Sequence, residues 1–176
     1  MSIAPPIALV IAMSALGPRA TNAQGAPTPP TCDAPEHRQF DFWVGEWEVR
    51  DPSGQVVGTN AISRSYNGCL LVERWEGARG SAGTSQNFFH RGDGKWHQNW
   101  IDSRAMGPLW LAGGVDGSGA MVMMDVDPSA TPLNRITWRP NPDGTVRQHW
   151  EQSTDAGATW VTVFDGLYAP RDSAAE

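Results

Sequence analysis

The sequence predicts an all-β protein, one antiparallel up-and-down β-barrel of about eight to ten strands, and three observations carry that prediction. Nine tryptophans fall within 176 residues, and most stand in short segments that alternate polar and apolar residues, the period-two pattern of half-buried strands. The segments are separated by Asp51-Pro52-Ser53-Gly54, Gly92-Asp93-Gly94, Asp116-Gly117-Ser118-Gly119 and Asn141-Pro142-Asp143-Gly144. This is hairpin chemistry, because glycine takes positive φ freely and Asp or Asn tolerates it. Finally, no segment of ten or more residues carries a helical stripe. Short loops make consecutive strands antiparallel neighbours. Closing the sheet removes exposed edges, which favours a barrel over a two-sheet sandwich.

From the N-terminus, Ile3 to Gly17 is apolar but too short to span a bilayer, and small residues follow it. Residues 1–23 read as a signal peptide. Thr21 and Ala23 fit a small-x-small cleavage pattern, which places the mature N-terminus near Gln24. No Lys or Arg precedes the apolar part, a departure from the usual signal. The alternative is an apolar tail on a cytoplasmic protein. The signal implies a periplasmic or secreted location and no membrane association once it is removed. Residues 24–35, with Pro27, Pro29, Pro30 and Pro35, read as a linker. The barrel domain spans 36–170, and 171–176 form a C-terminal tail.

Within the barrel, one helical turn falls near 36–43. The candidate strands are 43–50, 55–64, 69–76, 84–90, 95–102, 108–114, 119–126, 134–139, 145–152 and 159–168. The formal charge is −6 and the charges are scattered without a basic run, so nucleic acid and anionic membrane surfaces are unsuitable partners. Two cysteines, Cys32 and Cys69, form a disulfide if the chain is exported. Two free buried thiols are the alternative. No metal-ligand spacing of the CxxC or His-x-His type exists, and no metal or other cofactor is expected.

The tryptophans decide which face of each strand points inward. In 95–102, Trp96, Gln98, Trp100 and Asp102 share one face; His97, Asn99 and Ile101 share the other. Exposing two indoles on one strand is unfavourable, so the Trp face belongs inside. The same logic places Val146, Gln148 and Trp150 inside, with Arg147, His149 and Glu151 outside, and Ile136 and Trp138 inside. In 69–76, Leu71, Glu73 and Trp75 share a face opposite Leu70, Val72, Arg74 and Glu76, and the pattern leaves the facing of this strand open; with Trp75 inside, Glu73 goes with it. The outcome is an indole-rich interior with polar Glu73, Gln98 and Gln148, joined by Asn60 and Asp102. A few polar groups among aromatic walls suit an oriented apolar guest. A solid barrel whose polar groups satisfy one another or trapped water is the alternative.

The run Phe40-Asp41-Phe42-Trp43-Val44-Gly45-Glu46-Trp47 carries a family resemblance. Gly45-Glu46-Trp47 on a first strand resembles the Gly-x-Trp of lipocalins, where the Trp closes one end of the barrel under an Arg from the far end of the chain. Arg171 would take that place here. The longer Phe-Asp-Phe-Trp-x-Gly-x-Trp resembles the DUF1579 type of exported, lipocalin-like bacterial proteins. The resemblance continues through Gly68-Cys69, Glu73-Arg74-Trp75, Gly94-Lys95-Trp96-His97-Gln98, Trp100, Asp102, Arg135-Ile136-Thr137-Trp138, Arg147-Gln148, Trp150-Glu151-Gln152-Ser153 and Phe164-Asp165-Gly166-Leu167-Tyr168. It implies a calycin-like barrel and transfers no catalytic residue. Separately, Ser153-Thr154-Asp155-Ala156-Gly157-Ala158-Thr159-Trp160 resembles the Asp-box of sialidase propellers. One box makes no propeller, so its expected role is a structural turn.

Among constellations with chemical potential, Arg91-Gly92-Asp93 reads as a hairpin turn rather than an adhesion motif. Ser65 or Ser103 lacks a nucleophile-elbow context. His90 and His97 face each other across the 91–94 turn, where they could hold a metal or one could ligate haem as in nitrobindin-like barrels, although the Gly-x-Trp-x-Gly-x-Gly motif of those barrels is missing here. Surface histidines are the default. Glu73 is the best candidate for chemistry, because an interior carboxyl among indoles has a raised pKa and can act as a general acid or base. Its structural alternative is a pairing with Arg135 or Arg147. The leading expectation is an exported barrel binding a small apolar or aromatic molecule through Trp47, Trp75, Trp96, Gln98, Trp100, Trp138, Gln148 and Trp150. The second is a cofactor-free isomerase, cyclase or lyase with Glu73 catalytic. The third is a filled structural barrel. Oligomeric state is left open.

Overall fold

The computed structural model describes residues 1, 31–104 and 107–171. The expected signal peptide, most of the expected linker and the tail beyond Arg171 lie outside the described residues.

Ten strands form in chain order: β1 (Gly45–Arg50), β2 (Val56–Ser65), β3 (Leu70–Gly77), β4 (Ala82–His90), β5 (Lys95–Asp102), β6 (Leu109–Val115), β7 (Met121–Asp125), β8 (Leu133–Pro140), β9 (Val146–Ser153) and β10 (Val161–Pro170). Every expected strand is present, with ends displaced by at most two residues. Each strand pairs antiparallel with the next, and β10 closes on β1 through Trp47↔Pro170 to Arg50↔Leu167. The architecture is thus a closed ten-stranded up-and-down barrel, consistent with a calycin- or lipocalin-like fold.

The turns sort into two ends. Residues 66–69, 91–94, 116–120 and 141–145 lie at one end; 51–55, 78–81, 103–104 with 107–108, 126–132 and 154–160 lie at the other. The hairpin glycines do what their sequence context requires. Asp51 Oδ1, for instance, accepts from Ser53 N at 2.9 Å and Gln55 N at 3.0 Å, and Gly54 completes that turn at φ 85°.

The N-terminal arm closes the first end. Pro35–Arg38 and Asp41–Trp43 form two short 3-10 turns. Trp43, expected to open the first strand, belongs to the second of them. Phe40 and Trp43 are fully buried and stack on each other with ring centroids 4.9 Å apart. Phe40 also meets Trp96 and Trp138 edge-on, at 5.6 and 5.2 Å. Trp96 Nε1 donates to Glu36 O at 3.1 Å, and Trp47 Nε1 donates to Trp43 O at 3.0 Å. The disulfide Cys32–Cys69 ties the start of the arm to the β2–β3 turn, and Arg64 holds Asp41 at 2.5 Å. Val49, Leu71, Leu111, Met121, Met123 and Val146 complete a solid core around this plug. The Phe-Asp-Phe-Trp-x-Gly-x-Trp run is therefore the sequence of the plug.

Two tryptophans depart from the inward pattern. Trp110 projects from the outer face of β6, 57% exposed. Trp160 lies in the 154–160 loop, where the Arg135 guanidinium stacks 4.1 Å from the ring centroid. Arg171 does not cover Trp47. It is exposed and meets β1 through a backbone bond to Glu46 O at 2.8 Å, while Trp47 packs edge-on against Tyr168 at 6.2 Å.

Candidate ligand-binding site

Above the plug the barrel is hollow. A cavity of about 190 Å³ opens toward the second end. Register positions give its layers. Glu73 on β3, Gln98 on β5, Ile136 on β8, Gln148 on β9 and Tyr168 on β10 form the floor. Trp75, Trp100, Leu109, Trp150 and Phe164, each nearer the open end of its strand, form the wall. Asp102, Arg104, Ser81 and Val163 border the mouth.

Two glycines seat two of the wall indoles. A Cβ at Gly58 would lie 2.6 Å from Trp75 Cη2, and one at Gly83 would lie 2.4 Å from Trp100 Cη2 and Cζ2. The strands beside these indoles must lack side chains for the rings to lie against the backbone. Trp75 then meets Phe164 edge-on at 6.0 Å. β10 carries a bulge between Thr162 and Phe164, and beyond it Phe164, Gly166 and Tyr168 share the face that meets the inward residues Trp150, Gln148 and Val146 of β9.

The floor is a continuous polar chain. Asn60 Nδ2 donates to Glu73 Oε1 at 2.7 Å, and Ser85 Oγ donates to Glu73 Oε2 at 2.5 Å. Asn87 Nδ2 donates to Ser85 Oγ at 2.8 Å, and Gln98 Nε2 donates to Asn87 Oδ1 at 2.8 Å. On the other side Asn60 Nδ2 lies 3.4 Å from the Tyr168 hydroxyl, which in turn donates to Gln148 Oε1. Glu73 is 4% exposed. Burial pushes its carboxyl up to about 7, against the opposing pull of the Ser85 and Asn60 donors. The Tyr168 hydroxyl is raised well above its ordinary value, first by burial and then by the nearby Glu73 charge. Asn60 Oδ1 and Trp100 Nε1 are buried without a partner among the described residues.

Among the described residues no arginine reaches Glu73. Arg135 bonds Glu151 at 3.0 Å and Arg147 bonds Asp165 at 2.8 Å, both on the barrel exterior. At the mouth Arg104 Nε donates to Asp102 Oδ2 at 2.8 Å, and that pair holds the Asp102 carboxyl below its ordinary range.

Of the residues the sequence nominates for binding, Trp75, Gln98, Trp100, Gln148 and Trp150 line the cavity with Glu73. Trp47, Trp96 and Trp138 lie in the solid half, buried among the plug residues. Ser85, Asn87, Phe164 and Tyr168 escaped the sequence reading. The alternation of Gly83, Ser85, Asn87 and Phe89 was the available signal, muted because its members are small or polar.

The remaining constellations have structural explanations. In the 153–160 turn, Thr159 Oγ1 donates to Asp155 Oδ2 at 2.6 Å and Ser153 Oγ donates to Asp155 Oδ1 at 2.7 Å. These donors lower the Asp155 carboxyl to about 2. Gly157 takes φ 88°, and Trp160 Nε1 donates to Gly157 O at 3.0 Å. Arg91-Gly92-Asp93 forms the β4–β5 turn. There Asp93 accepts from Lys95 N at 3.1 Å and sits 2.8 Å from His97 Nε2 and 3.1 Å from His90 Nδ1. Ser103 Oγ accepts from Ala82 N at 3.1 Å, a loop contact at the barrel end opposite Ser65.

No protein-family model matches the chain, and no curated protein matches its sequence.

Proposed function

We propose that this protein is an exported barrel that binds a small, mostly apolar ring molecule, with the ring against Trp75, Trp100, Trp150 and Phe164 and its polar end at Glu73. The observation that carries this reading is the division of the interior: a solid aromatic plug below, and above it an open cavity with indole walls and a hydrogen-bonded polar floor. An aromatic wall stabilises a ring by apolar burial and stacking, and a few fixed polar groups orient it. The volume suits a single ring with a short arm, since a cavity of roughly 150 Å³ accepts benzene. The Cys32–Cys69 bridge supports a periplasmic or secreted setting, because disulfides persist where the surroundings are oxidising. The likeness to DUF1579-type exported proteins belongs to this reading and rests on the plug sequence and on the motifs that follow it as far as Tyr168.

One observation favours a second reading, a cofactor-free isomerase, cyclase or lyase. Glu73 titrates near neutrality on the buried floor beneath the aromatic wall, where a carboxyl works well as a general acid or base. Titration of a panel of small aromatic molecules, followed by tryptophan fluorescence and calorimetry, tests the first reading. Saturable binding lost on Trp100→Ala supports it; no response across the panel overturns it. Glu73→Gln separates the readings, since a carrier retains binding with altered affinity, whereas an enzyme retains binding and loses turnover.

A further inference from the structure

Glu73 is unusual among the acidic side chains of this interior in having no counter-charge. Its oxygens are held by two neutral donors, Asn60 and Ser85. The groups facing it from the surrounding strands are Asn60 and Ile62 of β2, Ser85 of β4, Gln98 of β5, Gln148 of β9 and Tyr168 of β10. All are neutral, the Tyr168 phenol included, because its raised pKa keeps it protonated. Among the described residues no Lys, Arg or His lies within ion-pair distance of it, and Arg104, the one cation bordering the cavity, is held by Asp102. Beside Glu73 the Asn60 Oδ1 acceptor has no donor. The floor thus presents acceptors short of hydrogen and a carboxylate short of positive charge. The wall above it is electron-rich aromatic surface, which attracts cations through the ring quadrupole.

We infer that the guest is an organic ammonium ion, a small aromatic ring bearing a short amine arm, whose –NH3⁺ seats at Glu73 while its ring lies between Trp75, Trp100 and Trp150. This rests on the binding reading above and gives it a ligand class. A buried carboxylate is stabilised most by a paired, hydrogen-bonded cation. The guest would supply what the barrel itself leaves out. Binding at low pH requires Glu73 to release its proton, so affinity increases with pH through the neutral range and levels off above it.

The test compares 2-phenylethylamine with 2-phenylethanol, which matches it in shape but is neutral, by calorimetry on the full mature chain at pH 5.5 and 7.5. The expected result is preference for the amine by at least tenfold at pH 7.5. Amine affinity should also rise by roughly ten- to thirtyfold between the two pH values, as a carboxyl titrating at about 7 dictates. The alcohol should show little pH dependence. Glu73→Gln, checked for native tryptophan fluorescence, should erase the preference; if that variant does not fold, the wild-type pH profile still decides. Equal or tighter binding of the alcohol, or amine affinity that falls with pH, overturns the ammonium assignment and leaves the cavity reading standing. Binding of neither compound overturns the ammonium assignment, and silence across the whole aromatic panel removes the cavity reading as well.

Discussion

Ser85 donates its hydroxyl to Glu73 Oε2 across 2.5 Å, directly opposite on the neighbouring strand. Asn60 serves the other oxygen from the strand on the far side. The carboxyl is thus gripped from both flanks inside the barrel. Fixing it this way orients a group that burial alone would drive to its neutral form.

The burial of that carboxyl has a pH signature, which the two donors oppose without cancelling. Glu73 in the folded chain titrates at about 7, against an ordinary value of 4.5. An acid raised in the folded state binds more protons folded than unfolded between those two values, so stability falls as pH rises through that window. Its favourable contribution is complete below pH 4.5 and lost above about 7. The shift corresponds to roughly 3 kcal/mol. Glu73→Gln keeps the shape and removes the titration. In urea unfolding the variant should therefore gain roughly 2–3 kcal/mol relative to wild type on going from pH 5 to pH 8. An identical difference at both pH values would show that Glu73 titrates in the barrel as it does in the unfolded chain.

The wall indole Trp100 depends on the missing side chain at Gly83, and Gly83→Ala tests that dependence. The added methyl meets the ring at 2.4 Å and Ile101 O at 3.0 Å, so the indole must swing away from its strand. Overpacking of this kind costs about 1–3 kcal/mol. Guest affinity should fall at least tenfold with it, as read by fluorescence titration. Gly114→Ala is the matched control, because a Cβ there meets nothing within 4 Å, and it should leave both affinity and melting temperature near wild type. Equal effects from the two substitutions would refute the seating role of Gly83.

The barrel was legible because its strands alternate large indoles with polar residues. In β5, Trp96, Gln98 and Trp100 stand against His97, Asn99 and Ile101, and no other facing is physically reasonable. Strand ends were legible because Asp and Gly mark the turns. What the sequence could not convey is how far the chain fills its own barrel. Whether Trp96 and Trp138 line a cavity or a solid core is decided by Phe40 and Trp43, which lie outside the sheet on an arm. The helical turn expected near 36–43 is present as two 3-10 turns, but so short an element has no periodic face to show that its rings enter the barrel, and Trp43 also reads as the first residue of the strand. Ser85 and Asn87 were hidden for a different reason. Their inward face contains no large apolar residue near the centre of β4, and its value lies in hydrogen bonds to β3 and β5 that only the register discloses. β10 hid Phe164 and Tyr168 because the bulge between Thr162 and Phe164 shifts the alternation partway along the strand.

The plug also sets the last expectation, for the disulfide. Cys32 and Cys69 are 37 positions apart, and closing a loop of that length stabilises the fold by about 3–4 kcal/mol in the chain-entropy model. The bridge anchors the arm bearing Phe40 and Trp43, while β1 leaves that arm directly for the barrel wall. Replacing both cysteines by serine should therefore lower the melting temperature by roughly 10 °C for a domain of this size. The loss should concentrate at the plugged end, so amides of the 66–69 and 91–94 turns would exchange faster with solvent while those of β9 change little. Guest affinity should remain within about threefold of wild type, since the cavity wall lies at the other end of the strands. A variant that keeps its melting temperature would show that Phe40, Trp43 and the Arg64–Asp41 pair hold the arm without the bridge. A large loss of affinity would show instead that plug and cavity floor are one cooperative unit.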